Sequence, residues 1–99
     1  MVIISNITFP PESAKEIAER FLSLPDLPDY IKRRGPYLTS NIHDGSVVYS
    51  IYELDKSKLA DGMLFLSDYM AKFFGVPGFN YEVKVYLEVE EALASIGMG

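Results

Sequence analysis

Cysteine and tryptophan are both absent from this 99-residue chain, and histidine occurs once. Without cysteine there can be no disulfide, no thiolate nucleophile and no cysteine-ligated zinc or iron–sulfur centre. His43 is then the sole imidazole, and carboxylates such as Asp26 and Asp29 stand on a loop without coordinating spacing, so no metal site and no cofactor are expected. A Gly-rich phosphate loop is missing too. Positive charge is scarce: nine Lys and Arg against fourteen Asp and Glu leave a net charge of −5. That balance argues against a nucleic-acid partner, because such binders carry a basic footprint that neutralises phosphates. No apolar run approaches the roughly 18 residues of a membrane span, and the opening Met-Val-Ile-Ile-Ser-Asn lacks the basic segment of a secretory signal. The expectation is therefore a cytoplasmic protein with neither nucleic acid nor membrane as partner.

What is present suits one globular domain. Hydrophobic residues make up 48% and charged residues 23%, an ordinary balance for a chain that builds a single core. The clearest signal spans residues 79–89, where Phe79, Tyr81, Val83, Val85, Leu87 and Val89 alternate with Asn80, Glu82, Lys84, Tyr86 and Glu88. Period-two alternation of this kind predicts a strand with two unlike faces.

Other elements follow from local chemistry. The β-branched run from Val2 to Phe9, closed by Pro10-Pro11, predicts a first strand. Pro11 and the capping-box spacing of Ser13 and Glu16 predict a helix start, and Ala14, Ile17, Ala18, Phe21 and Leu22 form its apolar stripe. A loop with one helical turn is expected from Pro28 to Gly35, placing Lys32, Arg33 and Arg34 near a helix end whose dipole they complement. Residues 37–43 and 47–54 read as two strands joined by a two-residue turn at Asp44-Gly45, the type I′ signature. Asp55 or Ser57 caps a second helix running to Phe74, with Leu59, Met63, Leu66, Met70 and Phe73 inward. Gly62 inside it suggests close approach of another backbone. A short tail helix is expected at residues 91–96. The order β, α, β, β, α, β is the ferredoxin-like arrangement, an α+β fold with both helices on one face of an antiparallel sheet, here one domain over residues 1–99.

A turn at Asp44-Gly45 pairs residues whose numbers sum to 89: Leu38 with Ile51, Ser40 with Tyr49 and Ile42 with Val47, all facing the helices. The opposite face would then carry Asn6, Thr8, Tyr37, Thr39, Asn41, His43, Ser50, Tyr52, Glu82, Lys84 and Tyr86 among Val2, Ile4 and Val48. Tyrosines and aliphatics on a face that one small chain cannot cover predict a second copy over it.

With this patterning the chain resembles the dimeric α/β-barrel superfamily, whose members include antibiotic-biosynthesis monooxygenases, muconolactone isomerases and small uncharacterised bacterial proteins. The segment Phe73-Phe74-Gly75-Val76-Pro77-Gly78-Phe79-Asn80-Tyr81-Glu82, leading to Tyr86-Leu87-Glu88-Val89-Glu90-Glu91-Ala92-Leu93, is similar to the C-terminal pattern of one such uncharacterised group. The resemblance implies a homodimeric barrel. It transfers no catalytic residue, and the lack of tryptophan departs from the monooxygenases that use one. The RNA-recognition module shares the element order, but Val47-Val48-Tyr49-Ser50-Ile51-Tyr52 lacks its basic and stacking residues.

The functional expectation is a homodimer that binds a small molecule on the open sheet face through Asn6, Tyr37, Asn41, Tyr52, Lys84 and Tyr86. A cofactor-free enzyme of monooxygenase or isomerase type is the alternative, with His43, Tyr52 or Glu82 as acid or base.

Overall fold

The computed structural model describes residues 1–98. It is an α+β fold: β1 (Val2–Phe9), α1 (Ala14–Leu22), β2 (Lys32–Asn41), β3 (Gly45–Glu53), α2 (Leu59–Ala71), β4 (Asn80–Tyr86) and α3 (Val89–Ser95). The four strands form one antiparallel sheet in the order β2-β3-β1-β4, compatible with a ferredoxin-like arrangement.

Alternation along β1 and β4 sets the two faces as the sequence predicts. Ile3, Ser5, Ile7 and Phe9 are buried, whereas Val2, Ile4, Asn6 and Thr8 are half-exposed on the other side. Helices α1 and α2 cover the first side. Ile7 and Phe9 pack with Ile17 of α1 and with Tyr69, Met70 and Phe73 around the end of α2. Ile3 packs with Ile31, Tyr52 and Leu66. Each such aliphatic or aromatic side chain contributes about 1.5–3 kcal/mol when fully withdrawn from water, which makes this layer the source of the fold's stability.

The β2–β3 hairpin departs from expectation, and the reason is local. Asn41 pairs with Gly45, so the turn is Ile42-His43-Asp44 and the cross-strand partners of Tyr37 to Asn41 sum to 86 rather than 89. A type I′ turn needs positive φ at two residues; Gly45 has φ 76°, but no non-glycine residue described has positive φ. Instead the Asn41 carboxamide oxygen accepts from the backbone N–H of His43 at 2.9 Å and of Asp44 at 2.7 Å. This Asx-type cap builds a three-residue loop that ends on a left-handed glycine. The change of three inverts β3. Val48, Ser50 and Tyr52 face the helices, and Val47, Tyr49 and Ile51 face away, opposite to the expected sets. Ile42, expected inward, projects from the turn and is 95% exposed.

Strand β2 is also longer than expected. Lys32, Arg33 and Arg34 belong to the ladder instead of a helix end, and the register shifts between Arg34 and Tyr37. The bulge puts Arg34 and Tyr37 on the same face although three positions separate them. Pro28 closes a single turn onto Ile31, after which the strand begins.

Helix boundaries move by a few residues. Asp55 accepts from the Ser57 N–H at the head of a 3₁₀ turn (Lys56–Lys58) that leads into α2, whose own first turn has no side-chain cap, and the helix ends at Ala71 instead of Phe74. Ser13 does not cap α1; its hydroxyl donates to the Pro77 carbonyl. A reciprocal capping box occurs at Glu88 and Glu91 of α3, which starts at Val89, two residues before the expected tail helix. A β-carbon on Gly62 would overlap the Leu54 side chain, so the close neighbour is a side chain and not another backbone.

Candidate functional site: the open face of the sheet

Combining the three registers gives four rows across the sheet, each read in the order β2, β3, β1, β4. They are Lys32–Glu53–Val2–Tyr86, Arg34–Ile51–Ile4–Lys84, Tyr37–Tyr49–Asn6–Glu82 and Thr39–Val47–Thr8–Asn80. The four aliphatic side chains of this face, Val2, Ile4, Val47 and Ile51, are all on the middle strands, and its charges, Glu53 of β3 excepted, stand on the edge strands. Two ion pairs tie those charges down: Glu82 to Lys84 at 3.2 Å and Arg34 to Glu53 at 2.9 Å, all four side chains being about half exposed. Such pairs contribute little stability in water but orient their side chains.

Of the expected ligand residues, Asn6, Tyr37, Asn41, Lys84 and Tyr86 lie on this face. Tyr52 does not. It is 2% exposed in the helix–sheet layer, where its hydroxyl lies 3.4 Å from the Ser5 hydroxyl. Ser50 and Val48 leave the face with it, and Tyr49, Ile51 and Val47 replace them. Asn41 remains on the face, but its carboxamide oxygen is engaged by the turn backbone. Tyr49 and Ile51 were missed because the hairpin was placed on the Asp44-Gly45 dipeptide alone; Asn41, a turn-initiating residue type, is the signal that points to the longer loop.

Asn6 sits between Tyr49 and Glu82 at the middle of the face. Its Oδ1 is withdrawn from solvent and has no hydrogen-bond partner among the described residues. A shallow recess of about 270 Å³ opens beside it, bordered by Asn6, Thr8, Asn80, Tyr81 and Glu82. A buried amide oxygen left without a donor is costly, which marks Asn6 as a polar group the described chain leaves unsatisfied beside this recess.

The candidate acid–base residues are not brought together. His43 is exposed in the hairpin turn, where it borders an open basin of about 470 Å³ with Asp44, Thr8 and Asn80. Tyr52 is buried on the opposite face from Glu82. General acid–base catalysis needs such groups within hydrogen-bond reach of one reacting atom, and no single substrate position serves both Tyr52 and Glu82.

Among the described residues no group of three or more His, Asp or Glu is placed to hold a metal ion, and no helix is long and apolar enough to cross a membrane. In comparisons with known proteins, no family model, no curated protein and no solved structure matches this chain.

Proposed function

We propose that the chain is a homodimeric small-molecule binding protein in which two copies stack their open sheet faces, as in a dimeric α/β barrel, and hold the ligand between them. The observation that carries this reading is the make-up of the four rows. Ile51 and Ile4 stand side by side on the two middle strands, with Val2 one row and Val47 two rows away, and Tyr37, Tyr49, Tyr86 and the paired charges lie among and around them. A sheet face meant for water needs no such aliphatic set, and neither α1 nor α2 contributes to covering it. A two-fold stack supports burial of these aliphatic side chains, because the same patch meets itself. The recess beside Asn6 gives the ligand polar partners in Thr8, Asn80 and Glu82, and the tyrosines give it aromatic walls with hydroxyl donors.

Light scattering on the purified chain at micromolar concentration should give twice the chain mass. Native mass spectrometry of the same sample should show a retained small molecule. A monomeric mass overturns the assembly, and a dimer that carries no ligand and binds none from a metabolite extract overturns the binding role.

A further inference from the structure

A second concavity lies on the other side of the sheet, where α1 fails to seal its own apolar stripe. Ile17 is buried, but Ala14, Ala18 and Leu22 stay exposed, and Leu38 of β2 is 70% exposed facing the same helix layer. Between them runs a groove of about 280 Å³ walled by Ile17, Phe21, Pro36, Leu38, Val48 and Phe73. Its lining is almost wholly apolar. Phe21 also walls an adjoining recess of about 300 Å³ that contains Leu24, Leu27, Tyr69 and Arg33.

Arg33 differs from the other two arginines of the chain. Its side chain is half-buried, and among the described residues no carboxylate lies within 4.0 Å of it, although Arg20 and Arg34 both have acidic partners. Asp26 borders the same recess, is exposed, and makes no ion pair with it. The guanidinium is held by groups that leave its charge uncompensated: Nη1 donates to the Tyr69 hydroxyl at 3.2 Å, and Cζ lies 5.7 Å from the Phe21 ring centre. A planar donor fixed by an aromatic face and a buried hydroxyl keeps its other N–H groups free in one orientation, the arrangement that suits a carboxylate.

We propose that groove and recess form one binding site for a medium-chain monocarboxylate. The hydrocarbon lies along Ile17, Phe21 and Leu38, and the carboxylate takes the free N–H groups of Arg33. Volume favours a chain of roughly eight to ten carbons, since the groove is at the small end of ligand pockets. The anion also supplies the countercharge that Arg33 lacks. This site is on the opposite face from the proposed dimer interface and does not depend on it.

Titration with sodium octanoate, followed by amide NMR shifts, tests the site. The expected result is saturable binding with shifts centred on Ile17, Phe21, Arg33 and Leu38, and binding of the uncharged octanol weaker by about tenfold or more, the size of a lost charge-assisted hydrogen bond. Arg33→Gln should weaken octanoate binding by a similar factor, and Arg33→Lys by less. Ala18→Phe, at an exposed position on the groove wall, should abolish binding with the melting temperature unchanged. Three results would overturn the proposal: no saturable shift, equal affinity for octanoate and octanol, or unchanged affinity in Arg33→Gln. Shifts at these residues that follow protein dilution instead of octanoate would also overturn it, by assigning the groove to a second copy. If Arg33→Gln does not fold, the octanol comparison and Ala18→Phe still decide.

Discussion

Tyr37 lies directly across the β2–β3 ladder from Tyr49, both on the open face, while Tyr52, three residues further along β3, points into the core. That pairing fixes the parity of the hairpin and has an energetic signature. Tyr52→Ala should lower unfolding free energy by about 3–5 kcal/mol, the range for deleting a large buried aromatic. Tyr37→Ala, at 59% exposure, should cost less than about 1 kcal/mol. Urea unfolding at protein concentrations that hold the oligomeric state constant measures both. The reverse order would mean that the ladder is out of register by an odd number.

Ser5 and Tyr52 form a buried polar contact in this layer, at a long 3.4 Å. Removing either hydroxyl alone leaves the other without its partner in a buried layer, so Ser5→Ala and Tyr52→Phe should each cost about 1 kcal/mol. The double variant should cost clearly less than the sum, because no orphan remains. Strict additivity in denaturant melts would show that the two hydroxyls do not interact.

The hairpin loop depends on Asn41 and Gly45 together. Asn41→Ala removes the acceptor for two turn N–H groups and should destabilise by about 1 kcal/mol, as loss of a comparable cap does. Gly45→Ala should cost more, about 2 kcal/mol, because its φ of 76° disfavours a side chain and a β-carbon would lie 2.7 Å from the Phe9 carbonyl oxygen. Thermal melts of the two variants should rank in that order.

Glu91 sets an acid limb of the stability profile. The Met1 ammonium 2.6 Å away, then the Glu88 backbone N–H, hold its carboxyl well below the ordinary 4.5, at about 2, with Lys56 adding a smaller pull at 3.2 Å. Partial withdrawal from water opposes these pulls. Because the folded value is the lower one, the unfolded chain takes up the proton first as pH falls. The stabilisation is complete above about 4.5 and disappears as pH drops from there toward 2. Glu91→Gln should flatten that part of a melting-temperature profile between pH 5 and pH 2, with little change in its shape above it. An unchanged acid limb would remove Glu91 as its cause.

Ile4 and Ile51 face each other at the middle of the open face. If two copies stack there, Ile51→Arg introduces like charges facing each other across a two-fold axis, and the protein should run as a monomer in light scattering with its circular dichroism spectrum intact. A dimer that survives Ile51→Arg would place the interface elsewhere.

The sequence reading succeeded where the signal is local. Alternation in β1 and β4 assigned Ile3, Ile7 and Phe9 inward and Glu82, Lys84 and Tyr86 outward without reference to any partner, since successive side chains of a strand must oppose. The spacing of Leu66 and Met70 likewise placed one face of α2 in the core, with Phe73 continuing it just past the helix end. It failed at β3, where every facing depends on a turn length. Two hydrogen bonds accepted by the Asn41 carboxamide oxygen go with a turn long enough to put Tyr52 in the core and bring Tyr49 and Ile51 out. Alternation tells which residues of a strand share a face, but not which face, and in β3 both sets carry tyrosine and aliphatics.

Composition and periodicity alone were enough to exclude cysteine chemistry, to order the strands and helices along the chain and to expect a sheet with one face left bare. These are properties of single residues and short spacings, which need no knowledge of what lies across the chain. The rows on that bare face, the unpartnered oxygen of Asn6 and the placing of Arg33 against Phe21 and Tyr69 had to come from the folded chain. Each joins residues far apart in sequence, and their meeting depends on the β2–β3 register and on the bulge at Gly35-Pro36, geometries settled by packing across the whole sheet.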